Sequence, residues 1–211
     1  MSGTQTQERT TPQSMLGVDH LERRLSRAGM TRALRALALA RTHHTGRRRN
    51  GAPEISHPVA VADGVLRVLA THLPPDPDFV EDAVITALLH DVREDHDVSD
   101  AELRAVFGAR PADAVARLTK TLETTARHPG GAFAAAADCP VAAIVKACDR
   151  RDNLATMDGA FRPEKQLSYG RETREEILPM LDRACRQFPD LHGFFGRAIV
   201  SIDAALDAAG V

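Results

Sequence analysis

Tryptophan is absent from this chain, tyrosine occurs once, and aromatic residues make up only 4% of it. The packed interior must therefore be built from Ala, Leu and Val. Alternating apolar and polar runs are missing, so no strand is expected. Abundant Ala and Leu favour helix instead. No run approaches the roughly 18 apolar residues of a membrane helix. The N-terminus lacks the apolar region of a signal peptide. Three cysteines, Cys139, Cys148 and Cys185, are odd in number and widely spaced, with no C-x-x-C. That excludes a disulfide scaffold and fits a reducing, cytoplasmic setting. Neither sign of charge is in excess: the net charge is -2 and the pI is near 6.5. A global signature of nucleic-acid binding is thus lacking. There is no internal repeat and no Gly-rich phosphate loop.

What is present is a helical chain of one domain's length. Its 211 residues are 43% hydrophobic, enough for one core. The expected class is all-α, with a disordered tail over residues 1–15 and a single helical domain over 16–211. Helices are expected from Leu16 to Arg27 and, capped by Thr31, from Arg32 to His43. The second carries an apolar stripe of Leu34, Leu37 and Ala38. A loop rich in Gly, Pro and Asn, with Arg47, Arg48 and Arg49 in a row, follows. Pro58 suits the first turn of a third helix, running to His72. Pro74, Pro75 and Pro77 break the chain. A fourth helix is expected from Asp78 through Asp91. Ser99 and Glu102 have capping-box spacing for a short helix, Asp100 to Phe107, ended by Gly108. Pro111 opens another, to Thr125. The segment from Arg127 to Asp138 reads as a mobile loop. Val141 to Met157 is helical, burying Val141, Ile144, Val145 and Cys148. The last pair is Glu172 to Phe188, kinked at Pro179, and His192 to Ala209.

Chemistry concentrates in Ala87-Leu88-Leu89-His90-Asp91-Val92-Arg93-Glu94-Asp95. Helical spacing pairs His90 with Glu94, and Asp91 with Glu94 and Asp95. One face then offers an imidazole and three carboxylates to the same volume. Buried, such a set needs a cation or many hydrogen bonds. His57 at the mouth of the third helix, and Asp149 after the stripe of a later one, can complete it, although Asp149 could merely pair with Arg150 or Arg151. His57, His90, Asp91 and Asp149 form a mixed N/O set suited to Mn²⁺, Fe²⁺ or Zn²⁺. Glu94 or Asp95 could orient or deprotonate a water. Asn153 suits a sugar hydroxyl or a phosphate oxygen. Arg48, Arg49 and Lys120 offer cations for phosphates, though Lys120 could equally snorkel. His43 and His44 read as capping or packing groups. His72, His128 and His192 read as surface residues, and His20 and His96 carry no signal. Tyr169 either closes over the site or packs between helices, with packing slightly favoured.

The order His57-Pro58, His90-Asp91, Asp149 resembles the HD superfamily of metal-dependent phosphohydrolases. The local text is narrower. His44-x-Gly46, Arg48-Arg49-Asn50-Gly51-x-Pro53-x-Ile55-x-His57-Pro58 is similar to the loop of the RelA/SpoT-type guanosine 3′,5′-bis(diphosphate) hydrolases. So are Ala87 to Asp95, Phe107-Gly108 followed by Leu118-Thr119-Lys120, and Val145-Lys146-x-x-Asp149-Arg150-x-x-Asn153-Leu154. The resemblance spans residues 30–157, about 60% of the chain, and the length is close to that of small stand-alone members. It implies an HD-domain helical bundle binding Mn²⁺ through His57, His90, Asp91 and Asp149. Glu94 and Asp95 would prepare the water, Arg48 and Arg49 hold the nucleotide, and Asn153 the ribose region. The implied reaction releases pyrophosphate from the 3′ position.

Three departures stand out. Glu54 replaces the aromatic residue of Pro-Tyr-Ile. Gly46-Arg47 replaces Gly-Gln, in a loop one residue short. Cys148-Asp149-Arg150-Arg151-Asp152-Asn153 replaces Ala-Asp-Arg-Leu-His-Asn. A carboxylate at Glu54 is expected to repel a phosphate-rich ligand. Rival readings are an HD hydrolase of another nucleotide, such as a nucleoside phosphate or NADPH, and a sensor without turnover. A di-iron oxygenase would need a second histidine cluster.

Overall fold

The computed structural model describes residues 12–72, 76–121 and 131–211. Among these residues there is no strand, only an isolated bridge between Arg47 and Pro53. The expected tail lies outside the described residues as far as 11. From Pro12 the chain is already helical: α1 is Pro12–Arg27. It buries Val18, Leu21 and Leu25, one helical face, and ends before Gly29, whose φ of +69° suits glycine.

Helix α2, Thr31–His43, buries Ala33, Ala36, Leu37 and Ala40. The stripe is shifted from the expected one: Ala38 is exposed and Leu34 only half-buried. Three alanines face α4 (Pro77–Leu89), against which α2 packs. Thr31 is not the cap either. Glu81 of α4 accepts from the Arg32 and Ala33 amides at 2.8 and 3.1 Å. A carboxylate from another helix thus satisfies donors at the α2 N-terminus.

Helix α3, Ser56–His72, packs on α4 and on α9, Pro140–Ala155. Helix α4 starts on Pro77, with Asp76 accepting from the Asp78 amide at 3.1 Å. Its buried residues lie on every side, as expected for a central helix. It ends at Leu89, not at Asp91. The chain breaks over His90 and Asp91 and resumes as one turn, α5, Val92–Asp95.

The capping box at Ser99 is present: its hydroxyl accepts from the Glu102 amide and Glu102 accepts from the Ser99 amide. It starts α6, Asp100–Phe107, which stops at Gly108, φ +93°. Ser99→Ala should lower stability by about 1 kcal/mol, a drop of roughly 2–4 °C in Tm. An unchanged melting midpoint would remove the box from the stability of α6.

Helix α7, Ala109–Leu118, begins two residues before Pro111. It ends at Leu118, where the extended Thr119 takes the chain out of the helix, short of the expected end at Thr125, which itself lies outside the described residues. So do residues 127–130 of the expected mobile loop, but Gly131–Ala137 is a helix, α8. The Ala run has high helix propensity, and Ala135, Ala136 and Ala137 are buried. The expected core stripe of α9, Val141, Ile144, Val145 and Cys148, is buried.

The last segment begins earlier than its sequence suggests, with α10 over Pro163–Glu172. A π-helical turn, Thr173–Ile177, joins it to α11, Leu178–Gln187. The Leu178 amide reaches back to the Thr173 carbonyl. Widening of the helix here accommodates Pro179, which lacks an N–H and crowds the preceding turn. A 3-10 turn, Pro189–Leu191, leads to α12, His192–Ala209, which packs on α9 and α11. No single helix among the described residues is long and apolar enough to cross a membrane.

Candidate metal centre

Three elements of the bundle meet at one point. His57 lies in the first turn of α3, His90 and Asp91 in the break after α4, and Asp149 on α9. Ligand atoms of His57, His90 and Asp149 all lie within 4.8 Å of one another. Asp149 Oδ1 is 3.3 Å from His57 Nε2 and 3.8 Å from His90 Nε2. Asp91 Oδ2 is 3.7 and 3.1 Å from the same two nitrogens. The break at His90 is what turns Asp91 toward the centre rather than along α4.

Both imidazoles are oriented through their other nitrogen. His90 Nδ1 donates to the Ala87 carbonyl at 2.8 Å, and His57 Nδ1 lies 2.6 Å from Asp152 Oδ2. A carbonyl or carboxylate there can only accept, which leaves both Nε2 atoms facing inward. His90 is 3% exposed, and its Nε2 has no hydrogen-bond partner despite its closeness to Asp91. A buried imidazole nitrogen aimed at two carboxylates fits a divalent cation.

Electrostatics agree with that fit. Burial opposes charge on Asp149, yet Lys146 and then the two histidines hold its carboxyl well below the usual range. Lys146 Nζ takes Oδ2 at 2.9 Å, and Asn153 Nδ2 donates to Oδ1 at 2.6 Å. Asp91 is also depressed, against burial, by His90. Burial favours the neutral imidazole at His90, but Asp91 and Asp149 outweigh it and raise the group well above its ordinary value. His57 is raised against burial by Asp149 and Asp152. A cation would take the place of those protons.

The remaining sequence candidates surround this point unequally. Arg48 Nη2 donates to Asn153 Oδ1 at 3.0 Å, and its Nη1 lies 3.6 Å from Asp152 Oδ2. Arg49 and Arg48 line a cavity of about 530 Å³ with Ala160, Phe161, Arg162 and Lys165. Sequence reasoning missed the last four. The one available signal was three cations and one aromatic residue within eighteen positions after Asn153: Phe161, Arg162, Lys165 and Arg171 share no motif and only the first three reach the cavity.

Glu94 Oε1 accepts from the Lys120 amide at 2.6 Å. Asp95 is exposed at the same rim. Partial burial, then the charges of Asp91 and Glu94, raise its pKa. Lys120 Nζ pairs with Glu172 at 3.1 Å and lies 4.7 Å over the Phe133 ring. Glu54 faces its own loop, accepting from the Gly46 amide at 3.2 Å. A Cβ at position 46 would come within 2.9 Å of that carboxylate.

His44 is buried and packs edge-on against His96 with ring centroids 5.1 Å apart; His43 also stacks on His96. His20 and His192 are exposed, and the His72 side chain and His128 lie outside the described residues. Among the described residues no second cluster of histidine and carboxylate ligand atoms accompanies the first. Tyr169 packs against Phe161 and the Arg150 guanidinium, and its side chain also hydrogen-bonds with Asn153 beside the centre.

The bundle and its paired histidines and aspartates define an HD-type helical domain with a candidate His/Asp metal site. No protein-family model matches the chain. A probable guanosine-3′,5′-bis(diphosphate) 3′-pyrophosphohydrolase of Synechocystis sp. is 38% identical over 151 residues, 67% of this chain and 18% of that protein. The guanosine-3′,5′-bis(diphosphate) 3′-pyrophosphohydrolase of Vibrio cholerae is 37% identical over 154 residues, 69% of this chain and 20% of that protein. The chain thus spans about a fifth of the length of these curated relatives. It shares its fold with a solved metazoan orthologue of SpoT that hydrolyses ppGpp and plays a role in starvation responses. The TM-score is 0.58 at 21% identity, over 85% of this chain and 96% of that one. The chain is homologous to one segment of the guanosine-3′,5′-bis(diphosphate) 3′-pyrophosphohydrolases.

Proposed function

We propose that this chain hydrolyses guanosine 3′,5′-bis(diphosphate) to GDP and pyrophosphate, in a reducing cytoplasm consistent with its three free thiols. The observation that carries the reading is the convergence of His57, His90, Asp91 and Asp149 within reach of a cationic cavity. These four residues would hold Mn²⁺, which when bound supplies Lewis acidity and neutralises charge on the diphosphate. Asp95 accepts a proton from the attacking water. Glu94, held by the Lys120 amide, fixes the rim on which Asp95 sits. Asn153 bridges Asp149 and Arg48 and is a hydrogen-bonding neighbour for the ribose. Arg49, Arg162 and Lys165 hold phosphate oxygens, and Phe161 offers its face to the base. Lys120 adds positive charge at the side of the site closed by Glu172. The bond between the ribose 3′ oxygen and phosphorus breaks. The 3′ oxygen leaves with a proton, and pyrophosphate carries away the oxygen of water.

Product analysis with purified protein, Mn²⁺ and guanosine 3′,5′-bis(diphosphate) tests this. GDP and pyrophosphate should appear, and Asp91→Ala should abolish them. Absence of turnover with metal bound would overturn the substrate. Another nucleotide would then be sought with a panel, since Glu54 and Asp152 place two carboxylates on or beside the arginine loop. Arg162→Ala and Lys165→Ala should each raise KM by about tenfold, because a charged hydrogen bond contributes roughly 1.5–3 kcal/mol. Their kcat should change little, as for binding shared by ground and transition states. A fall in kcat at constant KM would move these residues away from simple substrate capture.

A further inference from the structure

We propose that Asp152 is a positioning residue for His57, forming a carboxylate–histidine–metal relay. It is a feature of this chain, since the resembled motif carries His at that place. The inference rests on His57 being a metal ligand.

Asp152 lies three residues after Asp149 on α9, so both project from one helical face. One helix thereby supplies a ligand and also the group that orients a second ligand on α3. The contact is short: 2.6 Å from Oδ2 to His57 Nδ1. His57 and Asp152 are both largely buried, with side chains 11% and 18% exposed. The other ligand imidazole is treated differently. His90 Nδ1 donates to a neutral carbonyl, that of Ala87. A carboxylate on Nδ1 makes Nε2 a stronger donor than a carbonyl does, and it fixes the ring tautomer. The two imidazoles are therefore unequal ligands.

Arg48 also approaches Asp152, but at 3.6 Å, and its shorter bond goes to Asn153. Asp152 is thus primarily the partner of His57, and Arg48 follows it.

The test is Mn²⁺ affinity, measured by the electron paramagnetic resonance of free Mn²⁺, in wild type, Asp152→Ala, Asp152→Asn and Arg48→Ala. Asp152→Ala should weaken binding 10–100-fold. Asp152→Asn, which keeps an acceptor but not the charge, should fall between, and it carries the test if the alanine variant does not fold. Arg48→Ala should bind like wild type. In the Zn²⁺-loaded protein, the His57 Nδ1 proton should be seen far downfield by NMR and vanish in Asp152→Ala. Wild-type affinity in both Asp152 variants would overturn the relay, even with turnover of guanosine 3′,5′-bis(diphosphate) intact. Loss of affinity in those variants, without any turnover by wild type, would keep the relay and move the substrate. No Mn²⁺ binding by wild type would overturn both.

Discussion

Asp149→Ala should lose metal binding and reduce kcat/KM by at least about 10³-fold, roughly 4 kcal/mol of transition-state stabilisation. Four side chains converge on this carboxylate: Lys146 and Asn153 by hydrogen bonds, His57 and His90 across the centre. Asp149 is 4% exposed, so none of these contacts is replaced by bulk water when it goes. Lys146 would be left buried without its anion. Breaking one side of such a pair costs about 3–5 kcal/mol unless the ammonium gives up its proton. The alanine variant therefore confounds two losses. Asp149→Asn separates them, since its amide keeps the shape and one acceptor. It should fold with a smaller penalty and still fail to hold Mn²⁺. Normal loading of Asp149→Asn, measured by calorimetry, would remove Asp149 from the ligand set.

The second large effect is structural. Arg150 follows Asp149 but points the other way, into the bundle, where it is 1% exposed. Its Nη1 donates to Thr173 Oγ1 at 2.9 Å and its Nη2 to Glu172 Oε1 at 2.6 Å. The guanidinium lies 3.8 Å over the Tyr169 ring. One side chain of α9 thus holds the junction of α10 with the π-helical turn. Arg150→Ala would leave a cavity under Tyr169 and leave Glu172 with Lys120 alone. The expected loss is about 3–5 kcal/mol, or roughly 6–20 °C in Tm. Arg150→Lys should not restore it, because an ammonium cannot bond two acceptors in the plane of a fork while stacking on a ring. A Tm within 2 °C of wild type, by calorimetry, would show that the junction is held by packing instead.

Much of this arrangement was legible in the chain itself. Helical spacing and capping residues located most helices, and His57, His90, Asp91 and Asp149 come together within the bundle. What was hidden has specific causes. The phase of α2 depends on which small residues α4 allows close, and its N-terminus is capped by Glu81, forty-eight residues away from Ala33. No local pattern announces such a cap. Residues 131–137 lie in a stretch whose Gly and Ala content suggests a loop, whereas burial of three alanines decides the helix. The break at His90 falls where the apolar run ends, with no Gly or Pro to mark it. Arg162 and Lys165 reach the cavity only because the chain turns back after α9. Asp152 was visible as a departure, but its hydrogen bond to His57 needs the approach of α3.

The π-helical turn at Thr173–Ile177 gives this segment one place where the chain can shorten. It holds one residue more than an α-helix would use for the same advance. Removing its exposed Glu175 would restore 3.6 residues per turn and leave Met180, Leu181, Ala184 and Cys185 facing the core, at the local cost of Pro179 in a regular helix. The same deletion inside α11 would turn the residues after it by about 100°, and α12 would lose its seat on α9. Over evolutionary time single-residue deletions in this segment should fall at the π-helical turn and not within α11.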